Sequence, residues 1–341
     1  MKRWTRCQPR EFGERFSRWL ENSRLFRVCR PASCFINSAT IGILIKSDGV
    51  FLKPGSPNAI AYSMTGLFRF LAFLPLPWMH RIGAVLGWLV WWLSPTYRRH
   101  FKEQSAQAGY SWPQVRGAVA AAGCQTLESF RVWFGAPMPM HWDGVHHIEE
   151  AYAQGHGVLF LTPHLGCFEI TAPSGAAHFG PSRGPITVLY RPARQAWLRE
   201  LLSHARERDF MKAVPTNMDG VRQLLKALRR GEAVGLLPDQ VPPEGLGVWS
   251  EMWGREAYTM TLGAKLALQT QAAVVLAWGE RLPQGQGYCV HVEPLGHALS
   301  PDLHEAVAQL NQAMERLIRQ CPTQYLWGYA RFKQPRKEVL A

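Results

Sequence analysis

The sequence lacks the features that mark several common classes of protein. Its seven cysteines are scattered, and they form no Cys-x-x-Cys pair and no metal-ligand pattern with histidine. No zinc finger, RNP-like motif or long lysine run is present, which argues against binding to nucleic acid. The chain start also lacks the architecture of a signal peptide, because no apolar core follows its basic residues within the expected distance. Scattered cysteines of odd number fit a reducing cytoplasm best.

Acidic residues are scarce as well. Asp and Glu total 25 against 38 Lys and Arg, which leaves a formal net charge of +13. An excess of this size predicts an anionic partner, such as an acidic membrane surface, a phosphorylated substrate or an acidic carrier protein. The 14 tryptophans favour the membrane surface, since the indole ring prefers the headgroup interface. With 341 residues, the chain can bury one large core or two modest ones.

No uncharged apolar run reaches the roughly 20 residues that a membrane-spanning helix needs. The most hydrophobic segment, residues 67–93, is interrupted by charged side chains, and Pro75 and Pro77 break its helix. We therefore expect two short hydrophobic helices that lie in the membrane interface, with an apolar hairpin buried in the protein as the alternative. A basic cluster follows at residues 98–102, as expected beside an anionic cytoplasmic leaflet.

Four regions differ in composition. Residues 1–63 begin with nine Lys and Arg against three Glu in the first thirty positions, and we expect a disordered basic extension or a misplaced start, since Met64 opens a clean new segment. The hydrophobic helices are expected within residues 64–104. The main α/β domain follows at residues 105–335, and a tail occupies residues 336–341.

From residue 158 onward, short apolar runs alternate with helical patterns, after a helical region at residues 105–155. This alternation predicts an α/β fold with a mixed, mostly parallel sheet flanked by helices. The predicted strands are 158–162, 186–190, 233–238, 273–279 and 288–293. The predicted helices are 195–208, 217–230, 257–270 and 302–320. The Gly- and Gln-rich turn between the last two strands predicts an antiparallel hairpin.

The first predicted strand stops at Pro163, and His164 and Glu169 follow it. A histidine can take a proton near neutral pH, and a nearby carboxylate can fix its tautomer and stabilise its cation. An offset of five residues turns about 500° on a regular helix, so the two side chains converge only if His164 precedes the helix. Gly166 makes such a bend easy. The alternative is a partly buried histidine that caps the helix.

Cys167 lies three residues after His164, so a Cys–His nucleophile is a further alternative. Its neighbours Gly166 and Phe168 at a helix start favour a packing role instead.

Two more predicted strands end in charged residues. Arg191 and Arg194 follow the strand at 186–190, and Asp239 follows the strand at 233–238. Three such ends predict a cleft at one edge of the sheet rather than three solvated faces. The arginines could bind phosphate or stabilise an oxyanion, or they could form an ion pair with Asp239 or Glu169. Asp239 could instead cap the following turn.

Four stretches of the sequence together carry a family resemblance. They are His164-Leu-Gly-Cys-Phe-Glu169, Tyr190-Arg191-Pro192, residues 225–240, and Gln324-Tyr-Leu-Trp-Gly-Tyr-Ala-Arg331-Phe-Lys333. In combination they resemble the late acyltransferases of lipid A biosynthesis, the lauroyl and myristoyl transferase family within the wider glycerolipid acyltransferase group. The resemblance extends over about residues 64 to 335. It departs at Pro163, where many members carry Asn, and at Gly328-Tyr329, where an aromatic–histidine pair is more typical.

The resemblance implies a glycerolipid-acyltransferase-like fold with N-terminal membrane helices. It implies transfer of a fatty acyl chain from an acyl carrier protein thioester to a hydroxyl of a lipid A precursor, at the cytoplasmic face of the inner membrane. The implied alternatives are a lysophospholipid or other membrane glycolipid as acceptor. A membrane-surface binding protein without catalysis is a rival outside the family.

The resemblance also implies roles for the residues at the strand ends. His164 would be the general base, Glu169 would orient it, and Arg191 would stabilise the oxyanion or hold a phosphate. Asp239 would order its loop. No metal and no tightly bound cofactor is implied.

Overall fold

The computed structural model describes residues 66–190 and 208–337. The basic extension at residues 1–63, Arg191 and Arg194 lie outside the described residues, and so does nearly all of the helix expected at 195–208. These expectations stay predictions.

Two helices occupy the hydrophobic segment, α1 (Gly66–Phe73) and α2 (Leu76–Leu93). Pro75 separates them, and their axes differ in direction by 116°. Among the described residues, no single helix is long and apolar enough to cross a membrane, and α1 and α2 satisfy that criterion only as a bent pair. The expectation of two short helices is thus confirmed, whereas their association with a membrane stays a prediction.

Three more helices precede the sheet: α3 (Pro95–Gln107), α4 (Trp112–Val115) and α5 (Gly117–Phe134). Ser94 caps α3, because its hydroxyl accepts a hydrogen bond from the Tyr97 amide at 3.2 Å. Helix α2 packs closely on α5 through glycine, since a Cβ on Gly83 would lie only 2.6 Å from the Cα of Cys124. This packing anchors the hydrophobic helices to the α/β domain.

Within the described residues the main sheet has seven strands: β1 (Met140–Asp143), β2 (Val158–Leu161), β3 (Ile186–Tyr190), β4 (Met211–Pro215), β5 (Ala233–Leu236), β8 (Ala273–Arg281) and β9 (Tyr288–Pro294). They lie in the sheet in the order β1-β9-β8-β2-β5-β3-β4. Neighbours are parallel except β8 and β9, which form the expected antiparallel hairpin. The prediction of a mixed, mostly parallel sheet is therefore confirmed. The flanking helices are α6 (Val145–Ala153), α7 (Thr171–Arg183), α8 (Met218–Arg229), α9 (Leu262–Thr270) and α10 (Leu303–Gln320).

The helix expected at 257–270 is wrong in its first part. Residues there form β7 (Arg255–Met260), which pairs with β6 (Gly247–Met252) in a separate antiparallel hairpin. Trp253 and Gly254 connect the two strands, and both have positive φ, 54° and 71°, as a two-residue hairpin turn requires. Helix α9 begins only at Leu262. The turn residues and the cross-strand partner decide this segment, and neither is visible in its own helical periodicity.

Side-chain alternation gives the sheet two different faces. Leu159, Leu161 and Val234 point to one face and pack in a continuous core with helices α8, α9 and α10. Phe160 and Val188 point to the opposite face, toward α7 and the α5–α6 region. Both faces are covered by helices, which makes the fold a three-layer α/β/α arrangement.

A buried ion pair joins α5 to the end of β8. Glu128 is completely buried, and its two carboxylate oxygens accept hydrogen bonds from Nε and Nη2 of Arg281 at 2.5 and 2.6 Å. The hydroxyl of Tyr288 donates to the same carboxylate at 3.0 Å, and Nε2 of His80 on α2 lies 2.9 Å from it. Burial by itself raises the pKa of Glu128, but the charge and hydrogen bonds of Arg281 outweigh it and lower this pKa to about 2.

Arg281→Met should destabilise the fold by about 3–5 kcal/mol at pH 7, because it leaves the Glu128 carboxylate buried without the guanidinium that is its main counter-charge. The free energy of unfolding in urea measures the effect. Since the folded-state pKa of Glu128 lies below its ordinary value of 4.5, the stabilisation by this pair is complete above that pH and is lost as the pH falls toward 2. The double variant Glu128→Gln/Arg281→Met is the control, and it should recover most of the lost stability. A single variant no less stable than the double variant would contradict the ion-pair assignment.

Candidate active site

His164 lies in the loop that leaves β2, before any helix begins. Strand β2 ends at Leu161, a short 3₁₀ turn covers Phe168–Ile170, and α7 starts at Thr171. Glu169 falls in the 3₁₀ turn that leads into α7, so the expected placement of His164 before the helix is confirmed.

The bend between these two residues depends on Gly166. Its φ is +62°, and a Cβ there would collide with the carbonyl oxygen of Gly279. The Gly166 amide donates to the carbonyl of Gln324 at 3.0 Å, and the Cys167 amide donates to that of Gly279 at 2.7 Å. Only glycine fits this close approach of backbones. The loop is thereby tied to β8 and to the C-terminal segment.

Asp239 provides the carboxylate that contacts the histidine. Its Oδ1 lies 2.7 Å from Nδ1 of His164, and its Oδ2 accepts a hydrogen bond from the His164 amide at 2.9 Å. A third bond comes from the hydroxyl of Tyr325, which donates to Oδ2 at 3.2 Å. Strands β2 and β5 are parallel neighbours, so their carboxyl ends bring His164 and Asp239 together although 75 residues separate them.

This arrangement selects the tautomer of His164. An ionised carboxylate only accepts hydrogen bonds, so the proton of the neutral ring resides on Nδ1 and the lone pair on Nε2. The side-chain amide of Gln240 lies 3.0 Å from Nε2 and donates to that lone pair. Burial raises the pKa of Asp239, but His164 and its two hydrogen bonds outweigh this and lower it, which keeps Asp239 ionised. The ring is therefore arranged to accept a proton at Nε2.

Glu169 is half-buried and lines the same cavity as His164. The family resemblance predicts that Glu169 orients the histidine and that Asp239 only orders its loop. In the structure the carboxylate on Nδ1 is that of Asp239, so the orienting bond to this nitrogen comes from the third strand end. The part that Glu169 plays in the chemistry stays a prediction, as do the parts of Arg191 and Arg194.

Cys167 does not fit the role of a nucleophile. The side chain is 1% exposed, and burial raises the pKa of its thiol well above the ordinary value. The nearby negative charge of Glu128 raises this pKa further. A buried thiol with a raised pKa stays protonated and is a poor nucleophile. Its packing role is supported.

A large cavity opens beside His164. Its volume is about 1060 Å³, and it occupies the face of the sheet that α7 covers. Phe160, Val188, Gly235 and Ala277 of the sheet and Ala172, Ala176 and Phe179 of the following helix line it. It extends from His164 at the carboxyl ends of the strands to Ile186 and Ala233 at their amino ends. Along β3 alone this distance is about 13 Å at 3.3 Å per residue. The shape and the apolar lining suit a hydrocarbon chain.

The C-terminal segment 321–333 completes the site, although the sequence assigned no role to its side chains. The Leu326 amide donates to the carbonyl of His164 at 3.2 Å, and Tyr325 contacts Asp239 as described above. The hydroxyl of Tyr329 accepts a hydrogen bond from the Val241 amide at 2.9 Å. The signal that could have revealed these residues is the concentration of Gln, Tyr and Arg in a short segment beyond the last helix.

A group with metal-ligand spacing occurs elsewhere in the described part of the chain. His146, His147 and Glu150 on α6 place ligand atoms within 4.8 Å of one another. They do not line the cavity that holds His164.

The sequence profile of the bacterial lipid A biosynthesis acyltransferases matches residues 56–334. The chain belongs to this family. The lipid A biosynthesis lauroyltransferase of Escherichia coli (strain K12) is 29% identical to it over 286 residues, which cover 79% of this chain and 89% of that protein. The palmitoleoyltransferase of the same organism is 26% identical over 216 residues, 62% of this chain and 68% of that protein. A lipid A biosynthesis acyltransferase of Haemophilus influenzae is 26% identical over 285 residues, 78% and 88% of the two chains.

As a member of the lipid A biosynthesis acyltransferase family, the protein is an acyltransferase. The family match includes His164, Glu169, Asp239 and the whole C-terminal segment, and it begins ten residues before the first residue of α1.

Asp239→Asn should lower the turnover number for acyl transfer by about 10² or more, because a neutral amide neither fixes the Nδ1–H tautomer nor stabilises the imidazolium. Turnover of an acyl thioester measures this loss. Asp219→Asn, which changes an exposed carboxylate at the start of α8, is the matched control and should leave turnover unchanged. An Asp239→Asn enzyme that is folded and retains half of the normal turnover would contradict the assignment of Asp239 as the functional partner of His164.

Proposed function

We propose that the protein transfers a fatty acyl chain from an acyl carrier protein thioester to a hydroxyl of a lipid A precursor. The observation that carries the proposal is the His164–Asp239 pair beside the apolar cavity that His164 lines. The family and the names of the relatives support the acceptor, and the net charge of +13 suits an acidic carrier protein and a phosphorylated lipid.

The chemistry follows from the tautomer of His164. Nε2 takes the proton from the acceptor hydroxyl while the hydroxyl oxygen attacks the thioester carbonyl. The charge of Asp239 stabilises the imidazolium that forms. The tetrahedral intermediate then collapses, the C–S bond breaks, and the imidazolium returns the proton to the leaving thiolate. The side-chain amide of Gln240, which is hydrogen-bonded to Nε2 in the structure, would move away so that the acceptor hydroxyl can bind there. Glu169 would help from the cavity wall to orient His164 and stabilise its cation. Arg191 would stabilise the oxyanion or hold a phosphate.

The cavity under α7 would hold the acyl chain. A strand interior without a side chain leaves space next to the sheet, and Gly235 provides such a position in the middle of the cavity floor. A Cβ built there lies 3.1 Å from Cγ1 of Val188, which itself lines the cavity. A larger residue at position 235 would therefore occupy the path of the chain.

The hydrophobic helices would lie on the anionic cytoplasmic leaflet of the inner membrane. The exposed side chains of α1 and α2 form an apolar surface far larger than isolated hydrophobic residues would give. It comprises Leu67, Phe70, Phe73, Trp78, Ile82, Val85, Leu86, Leu89, Val90, Trp92 and Leu93. Arg98 lies at its end and donates to the carbonyls of Trp91 and Trp92, each at 2.6 Å. An apolar surface that ends in a basic cluster suits a membrane interface with anionic headgroups.

His164→Ala should abolish transfer while the protein stays folded, because the alanine removes the proton acceptor and its smaller side chain introduces no clash. Purified protein is assayed with acyl-acyl carrier protein and either a lipid A precursor or a lysophospholipid, and mass spectrometry identifies the product. His156→Ala, which changes an exposed histidine, is the control. Near-normal turnover in His164→Ala would refute the base role. Acylation of the lysophospholipid but not the precursor would replace the proposed acceptor by its alternative.

Gly235→Val should shift the preferred acyl chain toward shorter donors, because its side chain fills the middle of the cavity. Competition between carrier-bound acyl chains of different length, read by product mass, measures the preference. Gly263→Ala on α9, whose Cβ would make only ordinary contacts at 3.5 Å on the opposite face, is the control. An unchanged length preference in a folded Gly235→Val enzyme would mean that the chain binds elsewhere.

The double variant Phe70→Ser/Phe73→Ser should weaken binding to phosphatidylglycerol-containing vesicles by about tenfold or more, since each buried aromatic ring contributes on the order of 1.5–3 kcal/mol. Co-sedimentation with vesicles measures binding. Phe210→Ser, at a half-exposed phenylalanine outside α1 and α2, provides the comparison. Equal vesicle binding by the double variant and the unmodified protein would remove α1 from the membrane contact.

A further inference from the structure

We propose that the exposed face of helix α8 is the surface on which the acyl carrier protein docks. This face carries Arg222, Lys226 and Arg229, which are called the basic stripe below, and the partner that it fits is a small acidic protein. The inference rests on the proposed function, because the proposed donor is an acyl chain attached to such a protein. It adds the place on this chain at which the carrier binds.

Helix α8 has two opposite faces. The helix packs on β3, β4 and β5 with its buried residues Gly220, Leu224, Ala227 and Leu228. At about 100° per residue, the three residues of the basic stripe lie within about 60° of one another and point away from the buried face. All three side chains are exposed, and the stripe extends about 10 Å along the helix.

The charge of the basic stripe is not neutralised by its neighbours. In the part of the chain that the structure describes, no carboxylate forms an ion pair with Lys226 or Arg229. Arg222 lies 2.9 Å from the carboxylate of Asp219, but both side chains are largely exposed. An exposed pair of this kind is weak, so its arginine can exchange partners. The stripe therefore presents a net positive charge to a partner.

The basic stripe begins beside the opening of the cavity that holds His164. Asn217, Met218 and Val221 line this cavity, and Arg222 follows them directly. Met218 is 68% exposed although it lines the cavity, so the cavity reaches the surface at the start of α8. A thioester attached to a carrier must pass such an opening to reach the histidine. A carrier bound on α8 would present its prosthetic arm there.

The basic stripe differs from the basic cluster at residues 98–102, which lies at the end of the apolar surface of α1 and α2. On α8 the only exposed large hydrophobic side chain is that of Met218. Helix α2 contacts the turn after β8, whereas α8 packs on β4, and four strand positions, about 19 Å, separate β8 from β4 in the sheet. A basic face without apolar neighbours suits an acidic soluble protein better than a membrane.

The test compares two donors that carry the same acyl chain, one on acyl carrier protein and one on pantetheine alone. In Lys226→Glu/Arg229→Glu, the KM for the carrier-bound donor should rise by about tenfold, because repulsion replaces attraction at two exposed charges. The kcat should stay unchanged, and so should the KM for acyl-pantetheine, which has no protein part. The rise in KM should shrink as salt is added, because ions screen exposed charges.

Three further variants serve as controls. Lys226→Arg/Arg229→Lys keeps both charges and should keep the KM for the carrier-bound donor. Lys226→Gln/Arg229→Gln removes the attraction without adding repulsion and should raise this KM by about threefold. Arg116→Glu/Arg319→Glu changes the net charge as much as the first variant does, at two exposed arginines that do not line the cavity, and should leave the KM unchanged.

An unchanged KM for the carrier-bound donor in Lys226→Glu/Arg229→Glu would overturn the inference. A KM that rises equally for both donors, or equally in Arg116→Glu/Arg319→Glu, would overturn it as well, because neither result is specific to a carrier on α8. Loss of binding to phosphatidylglycerol-containing vesicles with an unchanged KM would assign the basic stripe to the membrane instead. These results leave the proposed donor intact, whereas an unmodified protein that does not accept acyl-acyl carrier protein would contradict the proposed function itself.

Discussion

The hydrogen-bonded pair of His164 and Asp239 is the interaction on which the site depends. Each residue stands just beyond the carboxyl end of a strand, and the two strands are parallel neighbours in the centre of the sheet. Both oxygens of Asp239 are used on His164, one on the ring and one on the backbone amide. The carboxylate therefore holds the position of the loop and the tautomer of the ring at once. Any change that shifts β2 against β5 would separate them.

The two faces of the sheet have different tasks. The face toward α8, α9 and α10 is filled with large aliphatic side chains and holds the strands in register. The face toward α7 is hollow, with Gly235 and Ala277 where bulkier residues would fill the space. An acyltransferase needs both properties, because the reacting groups must be held rigidly while a long apolar chain enters beside them.

Much of the fold could be predicted from the sequence, because the signals are local. The apolar runs of β2, β3 and β5, the turn between β8 and β9 and the proline between α1 and α2 are each readable within a few residues. The placement of His164 before the helix followed from helix geometry alone.

What the sequence could not reveal depends on contacts between distant segments. The partner of Nδ1 lies 75 residues away, so the nearer carboxylate, Glu169, was the natural expectation. The local pattern of residues 257–260 predicts helix, whereas the pairing with β6 and the Trp253-Gly254 turn make these residues part of a strand. The C-terminal segment offered residues typical of a site but no spacing that linked Tyr325 to Asp239.

The state of the His164 ring tests the central claim most directly. Nitrogen-15 NMR of histidine-labelled protein at pH 8, with the His164 signals assigned by comparison with His164→Ala, reports which ring nitrogen carries the proton. We expect a protonated Nδ1 with a hydrogen-bonded proton, an unprotonated Nε2, and loss of this pattern in Asp239→Asn. A ring protonated on Nε2 alone, or a pattern unchanged by Asp239→Asn, would contradict the proposed base and its partner.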